Sequence, residues 1–518
     1  METRRDFIKK AIVAGAGIAA APSLLAAYMK KEPAEVFASA EFDKVRSRGD
    51  ISVTRPRLPG AKPVYDLTTN PMGKVRVAII GLGQRGLGYY PSNMNKPVAE
   101  CGYWGLLGDI LNVPFTQVTA VCDLDPARAE KAVKTCQWRR PDDPAPKAYS
   151  GTESAWEKLC EQDDIDVVYI STPWKWHVPM AVKSMQCGKH AFIEVASAVT
   201  VDECWDLVNT SELTQKHCVI LENCCYGNEE MFVLNMAREG IFGTLTHAEC
   251  AYIHDLRSML YWEGTEGDWR REYHKTLNGN LYTTHGLGPV CQYLGINRGD
   301  VMSYLVSMSS PEANLSAYRD RVHPNNGRQD DEKYICGDMN TSLIKTALGR
   351  TIMLQHDVVS PRPYSRINAL TGTGATFFDY PARLALDLPK RVCEKYGIQL
   401  EAEGSHSWLK KEDLATMRLR FQHPLWKQIG ERAKNSGHGG MDFMMSYRLL
   451  DCIRQGITPD MTVYDAASWS SLIELSARSV ELGSMPVVIP DFTRGDWKKT
   501  APLGIVDAPY ADRDFPLV

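Results

Sequence analysis

Two stretches of this chain combine residue types that can do chemistry with spacings that would let them. The first, "VRVAIIGLGQRGLGYY", is an apolar run from Val75 to Ile80 that empties into Gly81-Leu82-Gly83-Gln84-Arg85-Gly86. After a buried strand and before a helix, glycines spaced this way have separate jobs. Gly81 permits the tight turn, Gly83 lets the backbone approach a pyrophosphate, and Gly86 allows close helix packing, with the helix N-terminus facing the anion. Gln84 and Arg85 ride on the same turn. Asp123 ends the next strand-like run, "FTQVTAVCDLD", where a carboxylate can accept hydrogen bonds from an adenosine ribose and disfavour a 2′-phosphate. Together they predict a dinucleotide cofactor, with NAD favoured over NADP. Asp123 lies about twice as far from Gly81 as the ~20 residues usual in such folds, which predicts an insertion around "ECGYWGLLGDILNVP". The second stretch, "NGNLYTTHGLGP" from Asn278 to Pro289, sets Tyr282 three residues before His285. A histidine titrating near neutrality can take or return a proton, and a tyrosine offers an O–H on a rigid ring. The same composition also suits an ordinary turn, and both readings stand at this point.

The elements that must position these residues can be read from periodicity. "VRVAII", "FTQVTAVCD", "IDVVYISTP", "KHAFIEVAS" and "HCVILENCC" read as five strands with helical patterns between several of them. That alternation predicts an α/β, doubly wound parallel sheet of the Rossmann type over residues 74–222. From residue 223 to 484 the pattern changes. "GTLTHAECAYIH", "VMSYLVSMSS", "TSLIKTALG" and "TIMLQHDVV" alternate in the manner of a half-covered sheet. An α+β domain with a large open, mostly antiparallel sheet is expected there. "KEDLATMRLRFQHPLWKQIGERAKN" and "VYDAASWSSLIELSARSVELG" read as late helices, residues 31–73 as an irregular arm, and residues 485–518 as a tail.

Fifty-nine Lys and Arg against 63 Asp and Glu give a net charge of −4, which offers no electrostatic case for nucleic acid or an acidic membrane surface. Residues 1–30 begin with Thr3-Arg4-Arg5-Asp6-Phe7-Ile8-Lys9, followed by a short apolar run and small residues suited to cleavage. This is similar to a twin-arginine export signal, whose apolar run is shorter than the ~18 residues a spanning helix needs. It predicts a folded protein delivered to the periplasm, with no membrane span in the mature chain. The 14 cysteines include no Cys-x-x-Cys pair, several lie in apolar runs, and they read as small core residues. Cys224 and Cys225 are adjacent, but no second pair supports a metal site, and none is expected.

The glycine motif, "AVCDLD", "STPWKWHVPMAVKSMQCGKHAFIEV" and the later open sheet resemble the Gfo/Idh/MocA oxidoreductase superfamily. Where dehydrogenases of that superfamily usually carry Glu-Lys-Pro, this chain reads Glu194-Val195-Ala196, which puts simple alcohol oxidation in doubt. That departure, with "LENCCYGNEEMF", "NGNLYTTHGLGPVCQYLGINRGD", "SPRPYS" and "GHGGMDF", closely resembles glycoside hydrolase family 109, the NAD-dependent α-N-acetylgalactosaminidases.

The resemblance implies a bound NAD that is recycled during hydrolysis. Hydride leaves C3 of the sugar, a base removes the proton at C2, the aglycone departs, water adds, and the hydride returns. It places functional positions at Glu194, Tyr226, Arg270, Tyr282, His285 and Tyr364, with Thr172, Trp174 and His177 lining the cofactor crevice. Arg271, beside Arg270, is an equally charged neighbour, and Asp442 fits either the site or a turn before a helix. A glycan ending in N-acetylgalactosamine is the expected partner. The oligomeric state is not readable from the residues, although open sheets of this superfamily often pair between subunits. A sugar dehydrogenase or sugar–sugar oxidoreductase is the alternative activity.

Overall fold

The computed structural model describes residues 51–88, 105–322, 332–399, 406–434 and 436–505. Residues 1–30, expected to be an export signal, residues 31–50 of the arm and residues 506–518 lie outside them. Strands β1 (Val75–Ile80), β2 (Thr116–Asp123), β3 (Lys147–Ser150), β4 (Val167–Ile170), β5 (His190–Ile193) and β6 (Cys218–Ile220) form one sheet in the order β3-β2-β1-β4-β5-β6. Every neighbouring pair is parallel. β4, β5 and β6 are buried at every position, as expected of strands covered by helices on both faces. The edge strand β3 was not expected. Its sequence, Lys-Ala-Tyr-Ser, is short and exposed and carries no apolar run to betray it.

The helix expected after the glycine motif is interrupted. Leu87 N–H donates to the Gly83 carbonyl, completing one turn. The remainder, Leu106–Asn112, takes up the same ladder, with Leu106 and Leu107 N–H donating to the carbonyls of Arg85 and Gly86. A Cβ on Gly105 would lie 2.7 Å from the Gly88 Cα, so the two ends of the break are in contact. The long spacing to Asp123 therefore comes from residues 89–104, which lie outside the described residues, whereas much of the stretch expected to be the insertion, "ECGYWGLLGDILNVP", supplies the helix Leu106–Asn112.

The second sheet comprises β7 (Leu245–Ile253), β8 (Met302–Ser309), β9 (Asn340–Thr346), β10 (Thr351–Asp357), β11 (Ala369–Gly372), β12 (Ala375–Phe378), β13 (Arg383–Leu386) and β14 (Val487–Val488), ordered β13-β12-β11-β7-β10-β9-β8-β14. Its pairs are antiparallel except β7 with β10. Alternate residues of β9 are buried, and Leu343 and Met308 stand exposed.

The segment read as a tail instead supplies β14. The long helical pattern before it divides at Pro424, which cannot donate a helical hydrogen bond, into Lys411–Phe421 and Pro424–Ala433. Residues 51–73 are bound rather than loose. Tyr65 stacks on Tyr464 with centroids 4.4 Å apart and donates to the Asn297 carbonyl, while Arg57 pairs with Glu212 and Asp496. The arm thus ties the parallel sheet's last long helix, Val201–Thr214, to the C-terminal segment. Thirteen cysteines are described, all free and eleven of them buried, so they pack as small apolar residues. No described helix is long and apolar enough to cross a membrane.

Candidate active site

The carboxyl ends of β1, β2, β4 and β5 open into a cleft of about 610 Å³ that runs from Asp123 to His285. Its first half is shaped by backbone. Gly81 has φ +92°, and a Cβ there would approach the Ser171 carbonyl oxygen to 2.5 Å. A Cβ on Gly86 would run into the Gly81 carbonyl oxygen. Gly83 differs: a Cβ would meet only the Arg128 guanidinium at 3.8 Å, so its open side faces the cleft, where a pyrophosphate needs close approach. Asp123 accepts from the Leu82 N–H at 2.7 Å and the Asp125 N–H at 2.9 Å, which fixes the carboxylate at the lip of the turn. These residues fit a dinucleotide.

Gln84, Thr172, Trp174, His177 and Glu194 line the same half. His177 sits 2.8 Å from two backbone carbonyls, Thr172 and Ala196, and burial depresses its pKa to about 4. The ring bridges the two carbonyls and braces the crevice wall. Arg85 joins the halves. It donates to Glu194 at 2.7 Å and, through both terminal nitrogens, to Asp442 at 2.7 and 3.3 Å. Burial pushes the Asp442 carboxyl up, but Arg85 and His438 outweigh it and hold the group far below the usual range.

The second half is shaped by side chains from separated segments. The stretch Asn278–Pro289 proves to be both turn and helix start. The Asn280 side chain caps the Tyr282 N–H, and the helix Thr284–Leu294 follows with His285 in its first turn. A Cβ on Gly286 would lie 2.6 Å from the Ala251 nitrogen of β7, and one on Gly288 would lie 2.8 Å from Glu222 Cγ. These glycines let the helix sit flush on the sheet and bring His285 to Glu222, whose Oε1 is 2.7 Å from Nδ1. Burial raises the Glu222 carboxyl, yet His285 and the hydrogen bond from the Cys224 N–H prevail and hold it below its ordinary value. An ionised Glu222 requires the proton on Nδ1, leaving Nε2 as the basic nitrogen, 3.4 Å from the Tyr282 hydroxyl.

Burial holds that hydroxyl well above its ordinary pKa, so Tyr282 is a donor at neutral pH. Arg270 lies over the rings of Trp174, Trp269 and Tyr282 at 5.7, 5.2 and 5.1 Å and pairs with Glu266, which leaves a fixed cation beside the base. Its neighbour Arg271 turns away to Glu332 and the Leu260 carbonyl, so the structure separates the two.

Two expected residues stand elsewhere. Tyr226, placed by sequence at the crevice, is buried outside the cleft, and its hydroxyl donates to Asp460 at 3.2 Å. Asn223, at the start of the 3₁₀ turn Asn223–Tyr226, lines the cleft, whereas the Tyr226 ring is held in the core by its bond to Asp460. Tyr364 is at the rim, half-exposed, edge-on to His254 at 4.9 Å and accepting from Arg366.

Sequence reasoning missed Glu222, Tyr252 and His254. Tyr252 stacks on Tyr282 at 4.4 Å and its hydroxyl is 2.9 Å from His254 Nδ1. Their signal was position: Glu222 follows β6 and the other two end β7, where strand ends meet the crevice. Among the described residues one group with ligand-type atoms within 4.8 Å of one another, Glu222, Cys224 and His285, could hold a cation. In this structure it is a hydrogen-bonded set, with burial keeping the thiol protonated.

Comparison with known proteins agrees in both halves. Residues 75–222 match the profile described as "Oxidoreductase family, NAD-binding Rossmann fold", and residues 226–499 match "Glycosyl hydrolase 109, C-terminal domain". A "Glycosyl hydrolase family 109 protein" from Shewanella pealeana is 45% identical over 87% of this chain and 92% of its own length. One from Shewanella baltica is 42% identical over 98% and 99%. Solved structures share the fold at low identity. They include levoglucosan dehydrogenase in complex with NADH and levoglucosan (14% identical, TM-score 0.53, covering 80% of this chain and 100% of that one). An oxidoreductase domain protein from Kribbella flavida is 13% identical, with TM-score 0.56, over 81% and 100%. The chain therefore belongs to glycoside hydrolase family 109, built on the NAD-binding fold of the Gfo/Idh/MocA oxidoreductases, and NAD is its cofactor.

Proposed function

We propose that this enzyme removes terminal α-N-acetylgalactosamine from glycans, through transient oxidation at C3 followed by elimination and water addition. The observation that carries this reading is the Glu222–His285–Tyr282 chain, set in the same cleft as the glycine turn. Bound NAD supplies a reversible hydride acceptor for the C3 carbon. His285 Nε2, backed by Glu222, removes the proton that a neighbouring ketone acidifies at C2. Arg270 neutralises charge developing on the enolate oxygen, and the Tyr282 hydroxyl donates toward it. Tyr364, at the rim, contacts the sugar or its aglycone.

The carboxylates support the same view. Hydrolysis by direct displacement needs two working carboxylates ~5–9 Å apart across the bond. Here Glu194 is taken by Arg85, Glu266 by Arg270 and Asp123 by backbone N–H groups. The acetamido group, the galacto configuration and the α-anomer rest on the family, and the twin-arginine head supports action in the periplasm.

The test is release of nitrophenol from p-nitrophenyl α-N-acetylgalactosaminide in heavy water, with no cofactor added, followed by mass analysis of the freed sugar. Cleavage with one deuterium at C2 is expected. Cleavage without deuterium would remove the elimination step, and net reduction of bound NAD by free sugar without cleavage would make the protein a dehydrogenase.

A further inference from the structure

The buried side of His285 meets more than one ligand-type atom. Its Nδ1 lies 2.7 Å from Glu222 Oε1, and Cys224 brings its sulfur to the same place, so that the three atoms lie within 4.8 Å of one another. Glu222 is completely buried and Cys224 is 1% exposed. Backbone fixes the set. Glu222 Oε1 also accepts from the Cys224 N–H at 3.0 Å, which caps the 3₁₀ turn Asn223–Tyr226. The helix that carries His285 is pressed onto the carboxylate, since a Cβ on Gly288 would lie 2.8 Å from Glu222 Cγ.

A second observation marks the spot. Glu222 Oε2 is buried with no hydrogen-bond partner among the described residues, and the Cys224 thiol reaches Asn223 Oδ1 only at the long distance of 3.5 Å. A bare carboxylate oxygen in the interior is costly, and a cation is one of the groups that satisfies it. Arg366, the cation beside the thiol, is already tied to Glu230 and to the Tyr364 hydroxyl. Thiolate, imidazole and carboxylate together suit zinc and metals of similar softness rather than calcium or magnesium. Bonds of ~2.0–2.3 Å set the ligand atoms of a tetrahedral zinc ~3.3–3.6 Å apart, inside the observed span.

We infer that Glu222, Cys224 and His285 form a site for zinc or a similar divalent cation, and that filling it switches the enzyme off. The exchange balances with no change in oxidation state. A coordinating thiol releases its proton to solvent, the Nδ1 proton moves to Nε2, and a buried set carrying one negative charge becomes neutral. Burial therefore favours the filled site. The change of tautomer is what stops catalysis: Nε2, the basic nitrogen beside Tyr282, becomes an N–H and can no longer take a proton. His285 lines the cleft, whereas Glu222 and Cys224 lie behind it, so the cation enters past the imidazole and inhibition should develop slowly.

The cation site stands apart from the function proposed above, but the loss of turnover rests on that reading, through His285. Cobalt(II), added to the NAD-loaded enzyme, tests the site. One cobalt per chain is expected, with thiolate-to-cobalt charge-transfer absorption in the near ultraviolet that zinc displaces. Preincubation with zinc should slow nitrophenol release from p-nitrophenyl α-N-acetylgalactosaminide by about 10-fold or more, and a chelator should restore it. Cys224→Ala should keep turnover within about 2-fold of wild type, show no charge-transfer band and need about 10-fold more zinc for equal inhibition. Cys224→Ser, closer in size, serves where the alanine variant does not fold. No band in wild type, a band in either variant, or zinc inhibition unchanged by the substitution would overturn the site. Cobalt bound through the thiolate with full turnover would overturn the switch, and the role of His285 with it. If the wild-type enzyme cleaves no glycoside, the function proposed above has failed, and the cobalt spectrum still decides the site.

Discussion

The two halves of the cleft are built by opposite means. The cofactor half is made of backbone: Gly81, Gly83 and Gly86 shape one continuous turn, and Asp123 is fixed by the backbone N–H groups of Leu82, in that turn, and of Asp125. The sugar half is made of side chains drawn from distant segments, with Glu222 after β6, Tyr252 and His254 at the end of β7, Arg270 and His285 from two helices, and His438 from a turn. A backbone site tolerates no added atom but needs no particular partner. A side-chain site accepts changes of shape and fails when one partner is removed.

Substitutions at the two ends should therefore fail differently. The largest effect is expected from Gly83→Val, which fills the open side of the turn. Bound NAD, read by absorbance of the purified protein, should be lost, and activity with it, while the fold remains. A fully loaded variant would refute this account of the turn.

His285→Ala and Glu222→Gln should do the reverse, keeping NAD and losing about 10²–10⁴ in turnover. Normal turnover in either would sever the proposed chain from the chemistry.

Acid should strike both halves together. His177 at the cofactor end and His274 behind Arg270 are buried, and burial depresses each pKa to about 4. They bind protons more readily unfolded, near 6.5, than folded. Stability is then full above about pH 6.5 and is lost as pH falls toward 4, on the order of 3 kcal/mol for each at the bottom of that range. Thermal melting against pH should show this fall, and a flat profile would mean that these histidines are already charged in the fold.

The smallest effect is expected at Tyr226. Tyr226→Phe should cost about 1 kcal/mol of stability through the lost bond to Asp460 and leave turnover unchanged. A fall in turnover at constant stability would return Tyr226 to the site.

The same contrast governs what could be read from sequence. Strands β1, β2, β4, β5 and β6 and the glycine turn were legible because their causes are local: apolar runs, spacing and a residue with no side chain. β3 was not, since an exposed edge strand of four residues carries no periodic signal. At the sugar end, Tyr282, His285 and Arg270 came through resemblance. Glu222 stayed hidden because its partner lies 63 residues away, and only the packing of Gly286 and Gly288 brings the two together. Tyr226 was misplaced because the partner that draws its hydroxyl into the core, Asp460, lies 234 residues away in the chain.

The spliced helix beside the glycine turn carries a practical consequence. Gly88 and Gly105 touch, and the helical ladder across them is closed by the Arg85 and Gly86 carbonyls, which accept from the Leu106 and Leu107 N–H groups. Two backbone positions in contact can accept a graft of almost any length with no stretching of the scaffold. A reporter domain grafted between these glycines would stand next to the cofactor turn and could signal dinucleotide loading, and new chain termini opened at the same point would leave both sheets intact.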